Sequence, residues 1–441
     1  MQLENKSLRL SKFYLTIKIH KDPVVGRPIC SSIGTVTHYT SKLLDHWLQP
    51  IAKKTSFYIS NSLDFLLELE NSTFPSSCVI LTADIVSLYP SINVPDGLCQ
   101  LKRALILHEV PVFYIDLLVD LCQWVLCNNY IEFGNTIWQQ TKGTAMGTPI
   151  SVCFAVIYLA MLELDIMSSC KKKPYFTEPI IIKRYIDDIG SVFIDTISAR
   201  IFINEYIAIR PDSLALTYEL SNTSEIFLVL EFFKGSRIRE GKLDTKVYQK
   251  PKNQYLYIPP FSYHQATVFT ATIKAELRRY RILCNNDNDF NVVKSLYYDR
   301  LLSRGYNSLT LTEIFDVPLE RSALIEQRLG QKQQNDESIR MNINPLIITL
   351  PISLKSTALN LSRLLSNTAQ DAAFDSDFYD IFGYSPRVIT CYSRSVNLGD
   401  LLYQSRYEHE ISLLPNSYRA YVKLQTWDLA IIININVHIN C

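Results

Sequence analysis

Ile180-Ile181-Ile182-Lys183-Arg184-Tyr185-Ile186-Asp187-Asp188-Ile189-Gly190-Ser191-Val192-Phe193-Ile194 is the stretch whose reading decides the fold. Two apolar runs rich in β-branched residues, 180–185 and 189–194, flank an Asp-Asp pair, which predicts a hairpin with two carboxylates at its tip. A further segment lies 103 residues upstream of Asp187: Leu81-Thr82-Ala83-Asp84-Ile85-Val86-Ser87-Leu88-Tyr89-Pro90-Ser91-Ile92. There the apolar run 78–83 predicts a buried strand ending at Asp84. An Asp-Asp pair alone would signify only a turn, which Asp favours. Three carboxylates held together repel by several kcal/mol at intermediate dielectric, so such a cluster is tolerable when divalent cations sit between the groups. Two cations about 3.5–4 Å apart are what in-line phosphoryl transfer uses, one activating a hydroxyl and the other neutralising the triphosphate and leaving pyrophosphate.

Between these segments runs Gln140-Thr141-Lys142-Gly143-Thr144-Ala145-Met146-Gly147-Thr148-Pro149, a Gly-rich loop ahead of an apolar helix expected over 151–167. Small residues there let a base pair and a nucleotide lie against backbone, and the helix N-terminus favours a phosphate. The ordered set of strand with Asp, small-residue loop with helix, and Tyr-x-Asp-Asp hairpin is far more specific than any member alone.

Outward from this centre, 13–35 reads as strand and loop punctuated by Pro23, Gly26 and Pro28, and 40–48 and 62–69 read as helices, the second capped by Asn61 or Ser62. A helix is expected over 111–127, a hairpin over 130–133 and 136–139 about Gly134-Asn135, strands over 226–233 and 243–249, and helices from Val268 to about Arg321. The polar segment 331–345 reads as a linker, and 430–441, alternating Ile and Asn, reads equally as an edge strand or a tail. The order predicts an α+β sheet domain followed by a helical one.

With 441 residues, 47% hydrophobic and 20% charged, the chain is expected to fold as two or three soluble units. Its ten cysteines include no C-x-x-C pair, which predicts reduced, mostly buried thiols in an intracellular protein, with Cys122 and Cys127 as core. The first residues lack the apolar region of a secretory signal, and the longest apolar stretch, 152–162, is short of the roughly 20 residues a bilayer needs, with Glu163 and Asp165 following. No membrane is therefore expected as a partner. The net charge of +1 is uninformative, but residues 234–281 carry eleven Lys and Arg against three acidic residues, leaving the rest of the chain at minus seven. A basic strip on an acidic body suits a protein that grips phosphates in one place and cations in another.

On these residues the chain resembles the reverse transcriptases of Penelope-like retroelements, a group allied to telomerase. The resembling blocks are 13–32 (Lys18-Ile19-His20-Lys21, then Arg27-Pro28-Ile29), 84–92, 142–149, 185–188, 242–264, the Glu276-Leu277-Arg278-Arg279-Tyr280-Arg281 segment, Arg304-Gly305-Tyr306, and Asn397-Leu398-Gly399-Asp400-Leu401-Leu402. The resemblance covers about residues 10–406. It implies a right-hand polymerase: partial fingers over 1–77, palm over 78–235, a thumb with a segment like a helix-turn-helix over 236–325, and a linker with a connector-like region over 326–441.

It also implies roles. Asp84, Asp187 and Asp188 would be the catalytic carboxylates, binding two Mg²⁺ (Mn²⁺ as a substitute) with help from the Ile85 carbonyl. Tyr89 would be the steric gate against a ribose 2′-hydroxyl. Arg27 and Lys21, with Lys18 behind them, would meet the triphosphate, and Gly147 and Pro149 would line the nucleotide site. Lys246, Lys250, Lys252, Arg278, Arg279 and Arg281 would hold an RNA template and DNA primer, with stacking from Tyr248, Tyr255, Tyr257, Tyr263 and Tyr280. Nuclear residence is implied by the resemblance alone.

There are departures from the family pattern. Val229 stands where the family has Asp, the upstream fingers block is not present, and no GIY-YIG nuclease pattern follows residue 406. The chain thus reads as a truncated, nuclease-lacking relative whose first strand, opening at Lys12, leaves edge hydrogen bonds and apolar surface uncovered. Two functions follow: an RNA-directed DNA polymerase using dNTPs, or a catalytically impaired nucleic-acid-binding remnant of one. An RNA-templated RNA polymerase is disfavoured by Tyr89.

Overall fold

The computed structural model describes residues 9–18, 25–133, 136–251, 253–340, 346–351 and 388–393. Strands β1 (Ser11–Lys18) and β2 (Val25–Ser31) pair antiparallel, Tyr14 opposite Ile29. Helix α1 (His38–Lys53) runs longer than the expected 40–48, through Pro50. Helix α2 (Ser62–Asn71) starts where Asn61 accepts from the amides of Leu63 and Asp64 at 2.9 and 3.1 Å. Strand β3 (Val79–Val86) extends two residues past Asp84 and turns through left-handed Ser87 into the short α3 (Leu88–Ser91).

Helix α4 (Val94–Leu107) adds to the elements expected from the sequence; Asn93 caps it and Pro95 sits in its first turn, both ordinary start signals. Helix α5 (Val112–Cys127), the hairpin β4 (Tyr130–Phe133) and β5 (Thr136–Gln139), and helix α6 (Ile150–Cys170) lie within a few residues of expectation. Strands β6 (Ile181–Tyr185) and β7 (Asp188–Phe193) form the carboxylate hairpin. Helix α7 (Thr196–Ile209), capped by Asp195, and strand β8 (Ala215–Ser221) are further elements the pattern did not reveal.

Three short strands follow, β9 (Ser224–Phe227), β10 (Leu230–Phe233) and β11 (Asp244–Val247). Then come α8 (Ala266–Leu283), α9 (Asp287–Ser303), α10 (Ser308–Phe315) and α11 (Arg321–Arg340). The last of these corrects the expected linker: residues 331–340 are helical. The segment Gln331-Lys332-Gln333-Gln334 is made of good helix formers, and polarity alone does not break a helix. The chain divides into two units, 1–326 and 327–441. In the second, β12 (Leu346–Pro351) and β13 (Val388–Ser393) pair parallel, Ile347 opposite Ile389. The connector-like Asn397–Leu402 and the Ile/Asn tail lie outside the described residues.

The central sheet of the first unit has the order β6-β7-β3-β8, all antiparallel. Because side chains alternate across a strand, β3 sends Leu81, Ala83 and Ile85 to one face and Ile80, Thr82 and Asp84 to the other. The first face packs on α1 and α4–α7 in one buried cluster. On the other face, Ile80 and Val192 are covered by Phe227, Leu230 and Phe232 together with α2 and α8–α10. Phe65 of α2 meets Phe227 and Phe232 edge-to-face at 4.7 and 5.2 Å, each buried ring contributing roughly 1.5–3 kcal/mol. Gly190 permits this: a Cβ there would stand 2.6 Å from the Phe227 ring. The cover stops short of the strand ends, so Asp84 is left open to solvent.

Helix α6 runs through the first cluster, and residues 153–163 are buried on every side, as so apolar a stretch must be. Its 21 residues are enough to cross a bilayer by length and composition, more than the expected 152–162 stretch, but 78% of its most apolar window is buried inside the protein. Glu163 does not end it; that side chain is buried within it. Cys122 is core as expected, whereas Cys127, at the helix end, is exposed.

A second sheet has the order β2-β1-β4-β5. Strand β1 is covered at its start, where β4 joins it in parallel at Ser11 and Lys12. Over 13–18, β2 is its one strand partner among the described residues, so the uncovered edge expected is corrected only at the strand's first two residues. The apolar exposure does occur: Leu15 is 56% and Ile17 66% exposed.

Candidate metal centre

The β6–β7 hairpin closes through Ile186-Asp187, between the partnered Tyr185 and Asp188. Ile186 has φ 56°, the left-handed region that a β-branched residue rarely adopts. Three contacts hold it there. The Ile186 side chain packs on the helical cluster, Arg184 Nη1 donates to the Ile186 carbonyl at 2.9 Å, and the Ile85 amide donates to the Asp187 carbonyl at 3.2 Å. Across the ladder, Asp188 is the register partner of Asp84.

Ligand oxygens of Asp84, Asp187 and Asp188 consequently lie within 4.8 Å of one another. Burial pushes the Asp188 carboxyl up to about 7, and the charges of Asp187 and Asp84 and a hydrogen bond with Asp84 push the same way, against Lys250. A group so crowded either shares a proton or gains a cation. Three hard carboxylate donors, with neither Cys nor His among them, suit Mg²⁺ or Mn²⁺. The donor set therefore fits a divalent ion.

Tyr89, half-buried beyond β3, belongs to the same neighbourhood. Burial pushes its hydroxyl up to about 12, with Asp187 and Tyr185 adding to the rise and Arg27 opposing it. Arg27, exposed on β2, is thus within electrostatic reach of Tyr89. Lys21, the Lys18 side chain and Lys252 lie outside the described residues.

The small-residue loop is pinned from two sides. The Thr144 amide donates to the Tyr89 carbonyl at 2.8 Å, and the Cys30 amide to the Met146 carbonyl at 2.7 Å. A Cβ at Gly143 (φ 69°) would stand 2.4 Å from Pro90 Cα, and one at Gly147 (φ 119°) 2.6 Å from the Cys30 carbonyl oxygen. These two glycines are required for close backbone approach as well as for their dihedrals. Pro149 is the N-cap of α6. The Ile150 amide is already taken by Ser41 Oγ at 3.1 Å, so that donor is not open to a phosphate.

The basic strip divides by partner. Lys246 pairs with Glu231 at 3.0 Å, and Arg279 with Glu276 at 2.6 Å. Arg281 reaches Asp287 at 2.7 Å and the Leu319 carbonyl at 3.1 Å, tying a helix end to a loop. Lys250 and Arg278 are exposed, and Lys250 lies within electrostatic reach of Asp188. Of the tyrosines, Tyr280 is a core residue against Tyr297 rather than a stacking surface. It stands one helical turn from Leu277 on the buried face of α8. Tyr263 is 89% exposed, and Tyr255 lies under the Arg300 guanidinium at 3.6 Å.

Sequence reasoning missed Arg184 and Glu163. Arg184 is 0% exposed and Glu163 3%; Arg184 Nε and Nη2 donate to the two Glu163 carboxylate oxygens at 2.5 and 3.1 Å. Nη2 also donates to the Val156 carbonyl at 3.0 Å. Burial pushes the Glu163 carboxyl up, and the guanidinium opposes that rise. The available signal was a single acidic residue at a core position of an all-apolar helix, with a basic residue at a core position of the hairpin.

No family model and no curated protein matches the chain. Among solved structures, telomerase from Candida albicans in complex with a fragment of telomeric RNA is similar at 9% identity and a TM-score of 0.49, covering 71% of this chain and 60% of that one. The RNA-dependent RNA polymerase of a human picobirnavirus, as an insertion-loop deletion mutant, is similar at 12% identity and a TM-score of 0.48, covering 75% of this chain and 62% of that one. The chain therefore spans about three fifths of the length of either protein.

Proposed function

We propose that this chain is a nucleic-acid polymerase of the reverse-transcriptase kind, adding deoxynucleotides to a primer 3′-hydroxyl on an RNA template. The observation that carries this is the convergence of Asp84, Asp187 and Asp188, with ligand oxygens within 4.8 Å, beside Tyr89. When bound, two Mg²⁺ ions would supply an activated hydroxyl and neutralise the leaving pyrophosphate. The three carboxylates would hold them, with the Ile85 carbonyl as a further ligand. Tyr89 would present its ring to the sugar of the incoming nucleotide, Arg27 and Lys21 would meet its triphosphate, and Gly147 and Pro149 would border it. Residues 1–77, 78–235 and 236–325 would act as fingers, palm and thumb, with Lys250, Lys252 and Arg278 toward the duplex backbone.

One observation favours the second reading, a nucleic-acid-binding protein with impaired catalysis: Lys246, Arg279 and Arg281 are committed to partners inside the protein. Primer extension on poly(rA)·oligo(dT) with Mg²⁺, run beside a binding measurement, separates the two. Extension that is lost in Asp187→Asn while duplex binding persists is the expected result. Binding without extension by the wild-type chain would replace the first reading with the second, and neither activity would overturn both.

A further inference from the structure

We infer that Arg184, braced by Glu163, is the positioning residue that sets the Asp187-Asp188 turn in its ligating geometry. Its bearing on metal capture rests on reading Asp84, Asp187 and Asp188 as ligands; the conformational part stands on the hairpin alone.

The guanidinium spends its donors on two separate elements. Two go to Glu163 and one to the Val156 carbonyl, seven residues apart and so on one face of α6. The remaining arm donates to the Ile186 carbonyl. The backbone of Arg184 is clamped as well: its amide donates to the Phe57 carbonyl at 2.5 Å, and its carbonyl accepts from the Ile59 amide at 3.2 Å. Arg184 thus couples a helix buried through most of its length to the peptide between Ile186 and Asp187.

That peptide needs a brace. A β-branched residue at φ 56° sits in a sparsely populated region and persists only where its surroundings over-determine it. If Ile186 relaxed, the following carbonyl would leave the Ile85 amide and the Asp187 carboxylate would swing from Asp84. Stability does not explain the pair, because a buried ion pair is often replaceable by apolar residues at no net loss. Tyr206, buried alongside, adds ring packing and brings no opposite charge. What an apolar pair could not supply is the donor aimed at Ile186.

That difference gives the test. Glu163→Leu with Arg184→Met removes both charges together, and Arg184→Lys keeps a cation for Glu163 while losing the arm that reaches Ile186. In full-length, metal-free protein we expect the Ile85 amide, which bonds the Asp187 carbonyl, to exchange about tenfold faster or more in either variant. The amides of Val79–Ala83 should keep wild-type protection. Mn²⁺ binding, read by its electron spin resonance signal, should weaken about tenfold while the thermal midpoint of the double variant stays near that of wild type. If the double variant fails to fold, Arg184→Lys decides by the same two readouts. Wild-type exchange at Ile85 in a folded variant would overturn the inference. Failure of the wild-type chain to bind Mn²⁺ would instead sink the metal-centre reading, with the exchange data still deciding the role of Arg184.

Discussion

Replacing Asp188 by Asn should make the metal-free protein more stable at pH 8, although it removes a proposed ligand. The Asp188 carboxyl is raised from its ordinary 3.8 to about 7 by burial and by the charges of Asp187 and Asp84. That span corresponds to about 4 kcal/mol, at about 1.36 kcal/mol per pH unit. Asp188 keeps partial access to water, so about 2 kcal/mol is the working figure. The sign follows from proton counting. Between about pH 4 and pH 7 the folded protein holds a proton at Asp188 that the unfolded chain has released, so this group's contribution to stability falls as pH rises through that window. Above about 7 the penalty is fully present. Asparagine carries no charge at any pH and escapes it. Urea unfolding in EDTA should therefore show Asp188→Asn about 2 kcal/mol more stable than wild type at pH 8, with the gap closing toward pH 4.5. Added Mg²⁺ should reverse the order. A ligand at a hundred times its dissociation constant stabilises by about 2.7 kcal/mol, and the variant should collect little of that. Equal stability of the two proteins at pH 8 without metal would refute the electrostatic crowding on which the metal site is argued.

Gly147→Ala should lower the thermal midpoint by several degrees, since a left-handed non-glycine costs about 1–3 kcal/mol and its Cβ would press on the Cys30 carbonyl. Gly330→Ala, with nothing near its Cβ, is the control and should leave the midpoint unchanged or slightly raised. Tyr89→Val should reduce dNTP over rNTP selectivity by about tenfold or more, the scale of a contact worth about 1.4 kcal/mol; unchanged selectivity would remove Tyr89 from the gate role. Lys250→Gln with Arg278→Gln should flatten the log K against log[salt] slope for an RNA/DNA hybrid by about 0.9 per lost phosphate contact, and an unaltered slope would show that neither side chain touches the duplex. By contrast, Arg279→Gln should act on stability, by freeing Glu276.

Where local chemistry is self-sufficient, expectation and structure agree closely. Asn61 caps α2 by bonding two amides within three residues of itself, and the β6–β7 hairpin follows from two β-branched runs and a two-residue gap. The misses have equally definite causes. Helix α4 is absent from the expected elements although Asn93 and Pro95 mark its start, and in 331–340 polarity reads as a linker although the helix propensity of its residues prevails. Strand β1 was expected at an edge because its partner β4 stands more than a hundred residues away. No periodicity within a segment reveals a pairing over that distance.

The sequence by itself determined that Asp187 and Asp188 end up at a hairpin tip and Asp84 near the end of a buried strand: apolar runs dictate where the strands lie, and the side-chain period of two dictates that Asp84 faces away from Ile85. It also determined that Gly143 and Gly147 lie in a loop before a helix. Only the tertiary structure decided that Asp84 and Asp188 are register partners, that cover by Phe227 ends below them, and that Arg184 reaches from the hairpin into α6 to hold Ile186. It likewise decided which basic residues of the strip are committed to internal partners and which remain exposed. The reason is that strand order and register, and the pairing of Arg184 with Glu163, are contacts between segments from about twenty to over a hundred residues apart. Even a short-range pair such as Arg279 with Glu276 depends on which face of its helix is left in water. Their free energies depend on what the rest of the chain packs around them, and local sequence carries no record of that.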